Sequence, residues 1–435
     1  MSDQAAQSSD LLSIRGELKV LKVAVFFMIV FAALNLVALL RLLGVPGLPP
    51  LLLLLYRAMD ALIVISFLKY CGSRVKVRGI DLLLLIFATY PFLIGIARGN
   101  LSITFANDTV IFFMFIAKIV IFRTILSRIH AVTDLDAVFT KPARKLVLWC
   151  GLFAVIALAV ASVLLGTSSG RYYQAPAELT FAAALVLAQG KIFAYLVFLA
   201  IALAAGKRMV MLGLIVIAAV AALAHPKVRK GFIRFLVVGV VFLPVAFIAS
   251  SSFLGSDLVS VNKILGTFRQ IERAMEQSDN LLEILMYTDP GRYVEYVSLL
   301  PHLVDWSLWF GNGYGFRYDL DSDFLFEFGM ADHLEVTNAH FTPLAITAKF
   351  GLFGLMIWII LIAQVLSTRI NRKSFAEYAC RLAFISMLAQ SLFAYSFFIN
   401  MFVPFYIAMS MVGSRRTKAS KLPETLVTGQ QRGYG

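Results

Sequence analysis

Four cations stand where anion chemistry would need them: Arg171 in GTSSGRYYQAPAE, Lys207 and Arg208 in AAGKRM, and Arg292 in YTDPGRYVEY. Arginine presents a planar, permanently charged fork of donors that matches phosphate oxygens. Converging at one membrane surface, these side chains would suit a lipid-linked pyrophosphate. For each taken singly, a snorkelling or salt-bridged role is the alternative. His340, in TNAHFTPLAITAKFGLFGL, enters a hydrophobic helix from its polar side. An imidazole there serves either as a general base or as an interfacial hydrogen-bonding group.

Ahead of His340 runs Trp309-Phe310-Gly311-Asn312-Gly313-Tyr314-Gly315. Gly311, Gly313 and Gly315 permit a tight turn whose amides approach a ligand or a neighbouring helix. No strand precedes this stretch and no helix opens on it, so a dinucleotide fingerprint is disfavoured. Asp319-Leu320-Asp321-Ser322-Asp323 resembles the start of a calcium loop but lacks the glycine at position six and the glutamate at position twelve. It reads better as a solvated acidic turn, and no metal site is assigned. Arg57 and Asp60 are three apart on one helix face and read first as an ion pair facing the bundle. Lys118 lies mid-helix, where a charge is expensive and marks a functional candidate.

The elements that must hold these residues are membrane helices. The 435 residues are 60% hydrophobic and 15% charged, with mean hydropathy +0.84. A soluble globular domain runs at about 45–50% apolar and about 25% charged. That contrast excludes a cytosolic enzyme, a nucleic-acid-binding domain, a disulfide scaffold and a disordered regulator. The net charge of +14 is unevenly spread: residues 251–340 hold 14 of the 25 acidic side chains and 5 of the 39 basic ones. Basic clusters elsewhere sit between apolar runs, as cytoplasmic loops do. The charge therefore reports topology and calls for no nucleic-acid partner.

Crossing a bilayer takes about 20 mostly apolar residues. Candidate spans are roughly 23–43, 50–68, 82–97, 109–126, 146–166, 209–224, 235–251, 341–366, 380–396 and 400–413. The stretch 177–205 sets the parity. Two short helices broken at Gln189-Gly190-Lys191 keep every basic loop inside, giving about 12 helices with both termini cytoplasmic. The expected organisation is a cytoplasmic tail at 1–22, helices over 23–250, a large periplasmic loop at 251–340, helices over 341–413 and a cytoplasmic tail at 414–435. Within the large loop, Ile264, Phe268, Ile271 and Met275 recur at helical spacing. That stripe fits a helix on the membrane interface or one packed on other loop elements. Cys71, Cys150 and Cys380 are odd in number and lie in or beside spans, which argues against disulfides or a thiolate metal site. The polar first 18 residues carry no cleavable signal peptide pattern.

The order GR (Arg171), GKR (Arg208), GR-x3-aromatic (Arg292, Tyr296), FGNGYG and a histidine entering a helix resembles the O-antigen ligase and Wzy-type polysaccharide polymerase superfamily. In that family a GxxG begins 11 residues after the histidine, and here Gly351-Leu352-Phe353-Gly354 supplies it. The resemblance covers about 165–366. Phe341 stands where the family has asparagine after the histidine, and Lys349 stands where an acidic residue is common.

The resemblance implies an all-α, GT-C-like membrane glycosyltransferase of the inner membrane, acting at the periplasmic face. Its donor would be a polyprenyl-pyrophosphate-linked oligosaccharide, and the reaction inverting and metal-independent, with no cofactor. Polymerisation of repeats into exopolysaccharide, capsule or O-antigen is the expected activity; ligation of glycan to a lipid or other acceptor is the alternative. A chain-length regulator and a flippase in the same membrane are the implied partners. His340 would be catalytic, Arg171, Lys207, Arg208 and Arg292 would bind pyrophosphate, and Gly311, Gly313 and Gly315 would shape the loop. The chemistry stands without the resemblance. Breaking a sugar–pyrophosphate bond develops negative charge that cations stabilise, and the attacking hydroxyl needs a base. From a different class, a glycan-lipid transporter also suits many helices with intramembrane charges. No two halves of the chain look alike, however, and a long acidic outer loop serves transport less obviously.

Overall fold

The computed structural model describes residues 14–38, 48–165, 178–234, 289–320, 335–369 and 374–412, with short interruptions, and a few positions between 272 and 286. Its helices are α1 Arg15–Ala38, α2 Leu48–Cys71, α3 Gly79–Ala97, α4 Ile103–Val132, α5 Leu135–Leu165, α6 Glu178–Ala188, α7 Ile192–Ala205 and α8 Arg208–Ala224. After the long acidic stretch come α9 Pro290–Leu299, α10 Asp305–Phe310, α11 Thr342–Ser367, α12 Phe375–Ser391 and α13 Val403–Val412. The only strands among the described residues are β1 Tyr318–Asp319 and β2 Glu335–Val336, paired antiparallel.

This is an all-α membrane protein. Helices α3, α4, α5 over Leu135–Val160, and α11 are each long and apolar enough to cross a bilayer. Among the described residues, the pair Met209–Ala224 and Val228–Arg234, bent by 119°, makes a fifth if it is counted as one span. Several elements differ from the sequence expectation. The first helix starts at Arg15 rather than near residue 23, because buried Glu17 pairs with Arg128 at 2.7 Å and draws the polar first turns into the bundle. Helix α13 is only ten residues, about 15 Å at 1.5 Å per residue, and every one of them is buried. A helix apolar all round belongs inside a bundle. The break at Gln189–Lys191 lies where charge parity put it, with Gly190 at φ +73° between α6 and α7.

Helix α4 is the spine. Phe112 and Phe115 meet Phe398 at 4.9 and 5.2 Å between ring centres, and Phe122 meets Phe405 of α13 at 5.5 Å. Its charges are paired inside. Asp60 accepts from Arg57 at 3.0 Å and from Lys118 at 2.6 Å, so the ion pair read from the i,i+3 spacing exists and Lys118 completes it. Asp81 takes both guanidinium nitrogens of Arg123, each at 2.5 Å. In lipid such charges persist only when paired and turned inward.

Candidate functional site

Two local structures at one end of the bundle position the predicted chemistry. The first is the glycine-rich stretch, wedged between helices. Gly311, Gly313 and Gly315 all adopt φ of +76° to +79°, which costs little only without a Cβ. Their backbone threads between α3 and α11. The amides of Asn312 and Gly313 donate to the carbonyls of Ala348 and Lys349 at 2.9 Å, and that of Tyr314 to Pro91 at 3.0 Å.

Helix α11 makes room by breaking at Gly351, with φ 64° and ψ −174°. The carbonyls of Ala348 and Lys349 just before the break take the wedge amides, and that of Phe350 takes the Tyr90 hydroxyl. Irregular backbone at membrane depth is tolerated only when protein satisfies it in this way. Of the two readings of the glycines, approach to a neighbouring helix is the one realised. The GxxG resemblance also acquires a physical content here, because Gly351 is the crossing point. A Cβ on it would lie 2.3 Å from the Trp309 carbonyl.

The wedge is locked by a buried ion pair. Asp108 of α4 accepts from Lys349 Nζ at 2.9 and 2.7 Å, and its Oδ2 also accepts from the Gly315 amide at 3.0 Å. Lys349 thus finds its carboxylate on another helix. A Cβ at Gly313 would stand 2.3 Å from the Gly95 nitrogen, whereas one at Gly72, also at positive φ, meets nothing within 4 Å. Gly313→Ala should therefore destabilise by about 3 kcal/mol or more, from overpacking plus left-handed strain. Gly72→Ala should cost only the strain, about 1–2 kcal/mol. Thermal unfolding of the two variants in detergent checks the difference.

The second structure holds His340. Pro290 opens α9, and the helix places Arg292 and Glu295 three apart on one face. The Glu295 carboxylate grips His340 twice: Oε2 accepts its backbone N–H at 2.9 Å and Oε1 meets Nδ1 at 2.5 Å. Glu295 is mostly enclosed, with a side chain 10% exposed, while the imidazole is 64% exposed and open to a ligand. The hydrogen bond that His340 donates to Glu295 raises its pKa above the ordinary 6.5; burial acts against this, the Glu295 charge adds to it, and the Arg292 and Asp289 charges lower and raise it in turn. An ionised carboxylate only accepts, so Nδ1 carries the proton and the neutral ring presents Nε2 as its basic nitrogen.

Beneath lies a small apolar cluster of Val294, Leu299, Tyr318, Leu320, Ala339, Ala345 and Ala348, which fixes α9 against the start of α11. The Tyr318 hydroxyl is buried without a hydrogen-bond partner among the described residues. Its pKa is raised by burial and by the Glu295 charge.

Of the predicted site residues, the structure brings together His340 and Arg292, whose Nε also meets Asp289 at 3.3 Å. Arg171 and Lys207 lie outside the described residues, as do Ile264, Phe268 and Ile271 of the amphipathic stripe, Asp321, Asp323 and the 235–251 span. Arg208 opens α8, and its side chain is likewise outside the described part. In the sequence, Glu295 stands with Asp319 as the loop acid next in line for the base should His340 not serve; its contact with His340 is what the sequence does not show. Its signal was the spacing from Arg292, which puts both on one face of a helix started by Pro290. Among the described residues, no group of three or more histidine, cysteine or acidic side chains forms a metal site. No protein-family model, curated protein or solved structure matches the chain.

Proposed function

We propose that this chain is a membrane glycosyltransferase that polymerises polyprenyl-pyrophosphate-linked oligosaccharide repeats into a surface polysaccharide. It would work from the inner membrane, with about 12 helices, cytoplasmic termini and a periplasmic site. One observation carries the reading: a carboxylate-oriented, solvent-open imidazole with an arginine on the same helix face, where a helix meets its polar loop. Nε2 of His340 takes the proton of the acceptor hydroxyl as that oxygen attacks the anomeric carbon. The bond from that carbon to the pyrophosphate oxygen breaks, and the departing charge is met by Arg292 with the other cations of the set.

Two experiments test it. A strain lacking the protein should accumulate single repeats on the lipid carrier; accumulation of long lipid-linked polymer would instead identify a ligase, and an unchanged glycan profile would sink both. The second concerns pH. A base must be neutral to act, so activity should rise with pH through the His340 pKa, with the acid limb above pH 6.5. Glu295→Gln removes the interaction that raises that pKa. Its acid limb should move to lower pH while the plateau falls, since the ring loses its orienting partner. An unmoved limb, read from the pH dependence of kcat/KM on lipid-linked repeats, would take His340 out of the proton transfer.

A further inference from the structure

A concave surface borders the glycine wedge at Asn312 and Gly315. It is a cleft of about 660 Å³ whose lining includes Arg98, Asn100, Ser102, His302, Phe316 and Arg317. That volume is in the range of small-molecule sites, about 300–1,000 Å³. Its floor is Asn312 of the wedge, which is buried. The Asn312 Nδ2 donates to the carbonyls of His302 and Ala348, both at 3.2 Å, which turns its Oδ1 to accept from Arg98 Nη1. Asn100 Nδ2 donates to the Asn312 carbonyl at 2.8 Å, so both lips of the 98–102 turn are fastened to one residue.

The consequence is a preset guanidinium. One nitrogen of Arg98 is held, and the rest of the fork has no partner among the described residues although the residue is exposed. Arg317 adds a second charge, shared with Glu335 at 2.8 Å. Two aromatic rings also line it: His302 and Phe316 meet edge to face at 5.5 Å, and Phe316 is backed by Tyr318, stacked at 6.1 Å. A planar fork recognises an oxyanion, aromatic faces pack against the C–H face of a sugar ring, and amide and imidazole groups take hydroxyls. A bare phosphate would leave the two lining rings unused.

We propose that this cleft binds a saccharide unit bearing a carboxylate, with Arg98 as its principal anchor. That the unit is part of the transferred glycan rests on the glycosyltransferase reading; the binding itself does not. The test uses the full-length protein in detergent, with saturation-transfer NMR titrations of D-glucuronate, D-glucose and inorganic phosphate.

Glucuronate should bind saturably and at least about tenfold more tightly than glucose, reflecting one charge-assisted bidentate contact. Arg98→Gln should abolish the preference and His340→Ala should leave it intact. If Arg98→Gln does not accumulate, Arg98→Lys keeps the charge without the fork and should weaken glucuronate binding. Equal binding of glucose, tighter binding of phosphate, no binding, or full affinity in both arginine variants would each overturn the assignment. Because binding is read without turnover, a chain that fails to polymerise glycan yet binds glucuronate would refute only the catalytic reading.

Discussion

His340→Ala should stop chain elongation while the protein still inserts and accumulates. Removing a general base typically costs about 10²–10⁴-fold in rate. The fold, by contrast, loses little, because the imidazole is 64% exposed and its removal leaves Glu295 still accepting the backbone N–H of residue 340. Polymer length on gels, the level of single lipid-linked repeats and protein abundance in membranes are the three readouts. His302→Ala should be milder, because His302 lines the cleft and lies outside the Glu295 contact. The decisive variant is His340→Gln. Glutamine keeps a polar side chain at the surface but cannot take a proton at neutral pH. If His340 only anchors the helix, His340→Gln should restore near-normal polymer, and the base would then have to be another group.

What the sequence discloses and what it hides divide along a physical line. Local and periodic features are legible: the helix break at Gln189–Lys191, the Arg57/Asp60 pair three apart, and the need for glycine at 311, 313 and 315 all appear where they were read. Each depends on neighbours within a turn or on hydropathy along the chain. The partners are not legible. Glu295 and His340 are 45 residues apart, Arg98 and Asn312 are 214 apart, and Asp108 and Lys349 are 241 apart. Nothing in a single sequence says which carboxylate a buried lysine will find. In the expected topology the span before Arg98 would end on the side of the large loop, yet the sequence reading did not single Arg98 out. The glycine wedge was half legible, since residue type announced the turn but not that helix α11 breaks to receive it.

That break makes the Asp108–Lys349 pair the second large expected effect. Both side chains are almost completely enclosed, at 2% and 1% exposure, so removing one charge leaves the other buried and unpaired. Breaking a buried pair in this way costs about 3–5 kcal/mol, whereas replacing both members is often close to neutral. Lys349→Met alone should therefore sharply lower the thermal stability and yield of the detergent-solubilised protein. Asp108→Asn alone should do the same, because the ammonium loses its counter-charge. Combined, Asp108→Asn and Lys349→Met should recover most of the loss. Asparagine still offers an oxygen to the Gly315 amide, which otherwise would be orphaned beside the wedge. Non-additivity of this sign, read as a double-mutant cycle of unfolding midpoints, would show that the pair acts as one unit across α4, the wedge and α11. Simple additivity of the two losses would mean that the two side chains contribute separately and that their mutual charge contact adds nothing to stability.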